Sequence, residues 1–221
     1  MKIHNLASLS LIATLLWSCG GSNTEAVETT EAQEVPAYLS ATQANVDIAG
    51  STVNWKGFKT YSGDFHIGTI NIQEGVFQLQ DGKLVGGRFV IDMNSIVCKD
   101  LEDTMYNAKL VNHLKSNDFF AVDSFPTAVF EITNVAEEAN AEKGTSHLIS
   151  GNLTIRGITK NITFPATVTV NENGVSLSAP EFGVNRTQFN VMFRSSGIKG
   201  VLKDQLIDDN FLLTLDVKGN I

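Results

Sequence analysis

Hydrophobic and polar residues alternate along most of the chain after Val46. In the segment 126–135 (PTAVFEITNV), for example, every second side chain from Ala128 to Ile132 is apolar. Similar runs occupy the segments 51–58, 75–80, 86–93, 147–157, 161–170, 174–182, 189–195 and 208–219. A period of two is typical of strands with one buried face. About eight or nine such strands, often joined by turns such as DGK at 81–83, predict an antiparallel sandwich or barrel.

One segment, Leu101–Ser116, follows a helical period instead. Its apolar side chains recur every three or four positions, at Leu101, Met105, Ala108, Val111 and Leu114. This spacing predicts an amphipathic helix, which Asn117 then ends. Phe119 and Phe120 follow at once, so we expect both rings to pack against whatever the helix covers. The corner would then close one end of a barrel with an apolar interior.

Residues 1–18 read as an export signal. Lys2 precedes an uncharged apolar stretch, Leu6–Trp17, that is too short to span a bilayer but fits a signal-peptide core. The stretch LWSC that ends at Cys19 resembles the bacterial lipobox, whose cysteine is acylated and becomes the new N-terminus. We therefore predict a lipoprotein anchored in the cell envelope, and Gly20 favours the outer membrane, facing the periplasm or the cell surface. The alternative is an ordinary secretory signal cut near Ser18.

Residues 19–45 contain four glutamates and no basic residue. This composition predicts an acidic, disordered tether between the anchor and a domain spanning 46–221. The whole chain has a net charge of −8 and no basic cluster, which argues against nucleic-acid binding. Its 43% hydrophobic content is ample for a packed core.

The sequence carries little catalytic chemistry. Cys98 has no neighbouring Cys/His cluster, so we expect a buried thiol and neither a metal site nor a cofactor. His66 and His113 each have an aspartate nearby, and such a pair can act as a general base. No nucleophile elbow, zinc-protease motif or phosphate loop accompanies them. We therefore predict that the protein is not an enzyme and that these histidines make structural hydrogen bonds.

Several ordered motifs resemble those of one family. They are WKGFKTYSGDFHIGTI (55–70), GGRFVIDMNSI (86–96), KLVNHLKSNDFFAVDSFPTAVFEIT (109–133), GNLTIRGITKNITFP (151–165), VNRTQFNV (184–191) and LIDDNFLLTLDV (206–217). From about Val46 to its C-terminus the chain resembles the YceI-like polyisoprenoid-binding family. The resemblance implies an all-β fold, an extended eight-stranded antiparallel barrel, lipocalin-like, with one helix at an end. It also implies export and an apolar tunnel that holds an isoprenoid or similar long-chain lipid.

In a barrel surrounded by water, the apolar face of each strand should point inward. The predicted tunnel-lining residues are Trp55, Phe77, Leu79, Phe89, Phe119, Phe120, Phe130, Ile132, Leu153, Ile155, Phe164, Phe211 and Leu213. His66, Arg156 and Arg186 are candidate contacts for a polar head group. The alternative is that the apolar side chains simply fill the core and that the arginines form salt bridges, to Asp92 or Asp64.

Two functions therefore stay open. One is a membrane-tethered protein that carries or sequesters a long-chain lipid. The other is a non-catalytic, surface-anchored structural or interaction module with a side-chain-filled barrel. In either case exposed barrel faces could pair two copies into a homodimer.

Overall fold

Eight strand positions close into an antiparallel barrel. The structure is a computed structural model and describes residues 26–221. The strands are β1 (Thr29–Glu31), β2 (Thr42–Val46), β3 (Thr52–Phe58), β4 (Phe65–Gln80), β5 (Lys83–Cys98), β6 (Thr127–Asn140), β7 (Thr145–Ile155), β8 (Ile158–Asn171), β9 (Gly174–Asn185) and β10 (Asn210–Asn220). The helix α1 spans Thr104–Lys115, and two short 3₁₀ turns span Arg186–Phe189 and Lys203–Gln205.

The barrel closes because every long strand pairs on both sides. Strands β4 to β10 follow one another around the wall, and β9 pairs with both β8 and β10. Between β4 and β10, one position is shared by β2 and β3, which pair with opposite halves of β4. Each long strand of residues 26–221 therefore has a neighbour on both sides over at least part of its length. The predicted eight-stranded antiparallel barrel with one helix is confirmed.

The two ends of the barrel differ in their connections. One end, which we call the hairpin end, has the short turns 81–82, 141–144 and 172–173. The other, which we call the loop end, has the longer connections 59–64, 99–126 and 186–209, and the tight turn 156–157. Helix α1 lies in one of these longer connections. Polar side chains that could bind a ligand or react are therefore expected at the loop end.

The segment 26–46 differs from the tether predicted over residues 19–45. Ala26 bridges to Gly183 of β9, and β1 pairs with β8 where β9 has separated from it. Farther along, the side-chain amide of Asn152 bonds the backbone N–H and C=O of Gln33, at 2.9 and 2.7 Å. We call residues 26–41 the strap. Backbone groups make most of these contacts, so the acidic composition did not signal them. Cys19 and the signal peptide lie outside the described residues.

Two other predicted elements changed. The helix begins at Thr104 instead of Leu101, because the Asp103 carboxylate caps it by accepting from the N–H groups of Met105 and Tyr106. The strand predicted over 189–195 is wrong. Asn190 and Arg194 have left-handed backbone conformations there, with φ of 57° and 51°, which an extended strand cannot accommodate. Phe189 and Val191 of that segment are nevertheless buried, although neither lies in a strand.

Candidate ligand-binding cavity

The barrel encloses a wholly apolar cavity. It is lined by Val53, Ile72, Phe77, Phe89, Ile91, Phe130, Leu153, Ile162, Phe164, Leu177, Phe182, Leu213, Leu215 and Val217. The cavity volume is about 100 Å³, which is small beside the roughly 300–1,000 Å³ of typical ligand pockets. The wall offers dispersion and hydrophobic contact only. A ligand held here must be an apolar chain, and the side chains must move to admit a long one.

A row of phenylalanine rings crosses the interior from β4 to β9. Phe77 meets Phe89 edge-on at 4.9 Å between ring centroids, and Phe89 lies 6.4 Å from Phe130. Phe130 lies 5.7 Å from Phe164, which stacks on Phe182 at 4.5 Å with the ring planes 4° apart. These separations suit attractive aromatic pairs. The row therefore forms one continuous wall of the cavity.

A glycine makes room for the central ring of this row. A Cβ atom added to Gly151 of β7 would lie 2.3 Å from the Phe130 ring. The neighbouring register places Phe130 opposite Leu153 on β7 and opposite Phe89 on β5. The Phe130 ring thus lies over a bare stretch of the adjoining strand. This explains why a glycine occupies an otherwise well-formed strand.

Six of the predicted tunnel-lining residues border the cavity: Phe77, Phe89, Phe130, Leu153, Phe164 and Leu213. Others lie in or against the hydrophobic core outside the cavity wall: Trp55, Leu79, Phe120, Ile132, Ile155 and Phe211. Sequence reasoning missed Phe182, although it identified the strand. The register between β9 and β10 shifts at Pro180-Glu181, which breaks the alternation before Phe182. The signal available in the sequence was an apolar residue, Phe182, directly after the interruption at Pro180-Glu181.

The aromatic corner after the helix packs at the loop end. The rings of His113 and Phe119 meet edge-on at 5.0 Å, and both contact Phe193 of the loop 186–209. The His113 ring also pairs with the Asp118 carboxylate at 2.9 Å. Phe120 packs against the core. The corner thus ties the helix to the following loop at this end of the barrel.

The two candidate head-group arginines hold loops together. Arg156 donates to the carbonyls of Phe119 and Asn190, at 2.7 and 2.9 Å. Arg186 is 4% exposed and donates to the carbonyls of Val191, Ile207 and Asp208.

The expected salt bridges to Asp92 or Asp64 are not the contacts these arginines make. Arg186 instead lies near Asp209. Burial lowers the pKa of the Arg186 guanidinium, and the carboxylates of Asp209 and Asp208 oppose that lowering. Neither arginine borders the apolar cavity, so a head-group role for them stays a prediction.

Trp55 and His66 lie between the cavity and the loop end. Trp55 pairs with Leu213 and Gly68, so its side chain is on the cavity-facing side of β3. Its indole N–H is buried and has no hydrogen-bond partner among the residues described. His66 follows two residues beyond Gly68 toward the loop end, where its Nδ1 lies 2.8 Å from the Asp100 carboxylate. Asp64, the neighbour suggested by the sequence, pairs with Lys59 instead.

Comparisons with known proteins agree with this architecture. A UPF0312 protein of Shewanella denitrificans is 28% identical over 167 residues, which cover 75% of this chain and 73% of the relative. A UPF0312 protein of Pseudomonas aeruginosa is 47% identical over 60 residues, covering 27% of this chain and 29% of the relative.

Two solved structures share the fold. BcnA of Burkholderia cenocepacia has a TM-score of 0.53 at 22% identity, covering 78% of this chain and 98% of BcnA. A polyisoprenoid-binding domain from Saccharophagus degradans has a TM-score of 0.55 at 11% identity, covering 81% of this chain and 98% of that domain. The model of the YceI-like domain matches residues 40–219. The chain therefore belongs to the YceI-like domain family.

Proposed function

We propose that this protein binds a polyisoprenoid or similar long-chain lipid, with the chain inside the barrel, and carries or sequesters it. The observation that carries the proposal is the cavity wall, which consists of apolar side chains in a closed barrel. The family resemblance to a polyisoprenoid-binding domain supports the same ligand class.

Energetics favour opening the cavity for such a chain. Each buried CH₂ gains roughly 0.8 kcal/mol, so about a dozen carbons gain on the order of 10 kcal/mol. Turning a phenylalanine ring away from its preferred rotamer costs about 1 kcal/mol. Even if several rings of the row must turn, the chain gains more than the rings lose. Part of the surplus offsets the entropy lost on binding.

The buried indole N–H of Trp55 suits a polar group on the lipid. An unpaired buried donor costs about 1–3 kcal/mol. A carbonyl, hydroxyl or phosphate oxygen entering from the loop end would accept from it. We therefore place the head of the lipid near Trp55 and its chain along the phenylalanine row.

A second function, a scaffold with a filled barrel, is favoured by one observation. The cavity volume of about 100 Å³ is too small for a long chain as the side chains now stand. Both functions are those of a binding protein and not of an enzyme. No titratable or nucleophilic side chain belongs to the cavity wall formed by the described residues.

We extend the proposal to export and membrane tethering through Cys19. Cys19 precedes Ala26 by seven positions, and seven residues reach about 25 Å at most. Ala26 bridges to Gly183, two residues before β9 ends at the loop end. Within residues 26–221 no helix is both long and apolar enough to cross a membrane. An acyl anchor on Cys19 would thus hold the loop end near the membrane, where the lipid would enter.

The test is native mass spectrometry of the full-length chain carrying Cys19→Ser, purified from bacterial cells without detergent. We expect a bound mass of several hundred daltons that organic solvent releases and fragmentation identifies. A ligand-free mass that also refuses added polyprenyl lipid would contradict the lipid proposal and leave the scaffold.

Variants locate the ligand. Leu153→Arg puts a charge in the cavity wall and should abolish lipid uptake, as should Phe130→Arg, because a buried unpaired charge excludes an apolar chain. Leu39→Arg is the matched control, since Leu39 is 97% exposed. Normal uptake by a folded Leu153→Arg protein would remove this residue from the binding site.

A further inference from the structure

Three side chains with metal-binding atoms meet at the loop end, outside the apolar cavity. Gly68 of β4 pairs with Cys98 at the end of β5, and two residues farther along each chain segment the His66 ring meets the Asp100 carboxylate. Residues opposite each other, or two apart on one strand, share a face of the sheet. The strand register therefore brings His66, Cys98 and Asp100 to one face, although 32 positions separate His66 from Cys98.

The ligand atoms of these three residues are close together. His66 Nδ1 lies 2.8 Å from Asp100 Oδ2, and Cys98 Sγ lies 3.2 Å from Asp100 Oδ1. One ligand atom from each residue lies within 4.8 Å of the other two. In a tetrahedral zinc site, bond lengths of about 2.0 Å to nitrogen or oxygen and 2.3 Å to sulfur put the ligands about 3.3–3.7 Å apart. Side-chain movements of up to about an ångström would bring the more distant atoms to that geometry.

We propose that His66, Cys98 and Asp100 form a binding site for a divalent transition-metal ion of the zinc class. Imidazole nitrogen, thiolate sulfur and carboxylate oxygen are the three ligand types that zinc takes from proteins. Hard cations such as Mg²⁺ and Ca²⁺ prefer oxygen ligands and would be disfavoured by the sulfur. The sequence led us to expect no metal site at Cys98, because the partners are brought to it only by the fold.

The backbone around the site is held in place. The Lys99 N–H donates to the Ile67 carbonyl at 2.8 Å, and the Ile67 N–H donates to Asp100 Oδ1 at 2.8 Å. The side-chain amide of Asn107, on α1, donates to the carbonyls of Cys98 and Leu101. These bonds link the start of β4, the end of β5 and the helix. A preorganised frame of this kind raises metal affinity, because the ligands need not be gathered on binding.

Metal binding would exchange protons and hydrogen bonds in a balanced way. The Cys98 thiol donates to the Asp100 carboxylate at 3.2 Å when no metal is bound. On binding, the metal takes the place of the thiol proton, which passes to water, and of the proton on His66 Nδ1, whose ring then carries its proton on Nε2; the hydrogen bonds of both groups to Asp100 are lost. The His66 side chain is 40% exposed, so water reaches the site and would complete the coordination. The site thus has three protein ligands and one open position.

The test is titration of the full-length chain carrying Cys19→Ser with Co²⁺, followed by displacement with Zn²⁺. With Cys19 replaced, Cys98 is the one cysteine. We expect saturable 1:1 binding with a thiolate-to-cobalt charge-transfer band, which Zn²⁺ abolishes. Cys98→Ser should remove the band. His66→Ala and Asp100→Asn should each weaken binding by about tenfold or more.

His113→Ala is the matched control. His113 and Asp118 form a similar histidine–aspartate pair, at 2.9 Å, in the same part of the molecule but outside the proposed site. The His113→Ala protein should have the same metal affinity and the same charge-transfer band as the protein without this substitution. Far-UV circular dichroism confirms that each variant is folded. Because His66 is partly exposed, His66→Ala leaves the core intact. The proposal is overturned if no charge-transfer band forms, or if His66→Ala and His113→Ala bind alike.

Discussion

At the scale of single residues, the closest packing is at Gly68. A Cβ atom there would lie 1.8 Å from the Val97 carbonyl oxygen and 2.6 Å from the Trp55 ring. The carbonyl belongs to the paired strand and cannot turn aside as a flexible side chain could. We expect Gly68→Ala to lower the free energy of unfolding by about 1–3 kcal/mol or more. Urea denaturation measures this change.

Gly57 provides the control for this prediction. It lies on the adjacent strand β3, and a Cβ atom added to it has nothing within 4 Å. Gly57→Ala should change the free energy of unfolding by less than about 1 kcal/mol. Its sign depends on how far alanine lowers the conformational entropy of the unfolded chain. Equal unfolding midpoints for the two variants would show that the close approach at Gly68 is absent in solution.

The indole N–H of Trp55 allows a prediction that separates an effect on stability from an effect on lipid affinity. Trp55→Phe removes a buried donor that has no partner in the described structure. The free energy of unfolding should therefore fall by less than the smaller ring alone predicts. Affinity for a polyprenyl lipid with an oxygenated head should fall by about tenfold, which corresponds to the free energy of about one hydrogen bond.

Denaturation and lipid titration measure the two effects separately. A polyprenyl hydrocarbon without a head group is the control ligand, and its affinity should not change. Equal losses for both ligands would place the lipid head away from Trp55.

At the scale of elements, the strap depends on one buried amide. Asn152 is 6% exposed and bonds both backbone groups of Gln33, and the amide of Asn161 donates to it at 3.0 Å. Asn152→Ala should free the strap and cost about 1–3 kcal/mol, because Asn161 and Gln33 lose partners. Faster hydrogen exchange confined to residues 27–36 would report the release.

Asn134→Ala is the control for the strap prediction. Asn134 is an exposed amide on the neighbouring strand β6. Its substitution should leave exchange in the strap unchanged. Unaltered exchange in Asn152→Ala would mean that β1 pairing with β8 holds the strap without help from the amide.

Elements with strong periodicity were predictable, and those held by backbone pairing were not. The alternation around Phe130 and the helical spacing before Phe119 each reflect burial of one face, which side chains report directly. The strap and β2 are short and mostly exposed, so their sequence carries little such signal. The segment 189–195 alternates because Phe189 and Val191 fill the loop end, not because it is a strand.

The candidate sites were predictable to different degrees for the same reason. The cavity wall follows from inward-facing positions of strands, and Phe77 or Leu153 could be named from the pattern. The cluster of His66, Cys98 and Asp100 depends on the register between two strands and on a turn at the end of one. Register relates segments that are distant along the chain, and a single sequence does not reveal it.

At the scale of the whole molecule, the strap determines which end of the barrel an N-terminal anchor would face. The strands β4 and β5 each contain 16 residues, or about 50 Å of strand. An anchor on Cys19 would be joined at the loop end by about 25 Å of chain at most. The hairpin end would then be held away from the membrane. Exposed apolar side chains at the loop end include Tyr61, Phe65, Met105, Tyr106 and Leu202, whereas Leu39 and Ile221 are exposed near the hairpin end.

This geometry predicts contact of the loop end, and not the hairpin end, with lipid. The measurement uses the acylated protein on vesicles containing brominated phospholipid, with one fluorophore on either Lys203→Cys or Lys143→Cys. Both lysines are exposed, the first at the loop end and the second at the hairpin end. Bromine quenches only on close approach, so we expect quenching at position 203 and little at 143. A flexible spacer inserted before Ala26 should reduce the difference, because it lengthens the reach of the anchor. Equal quenching at both positions, or stronger quenching at 143, would contradict the orientation and leave lipid entry at the loop end without support.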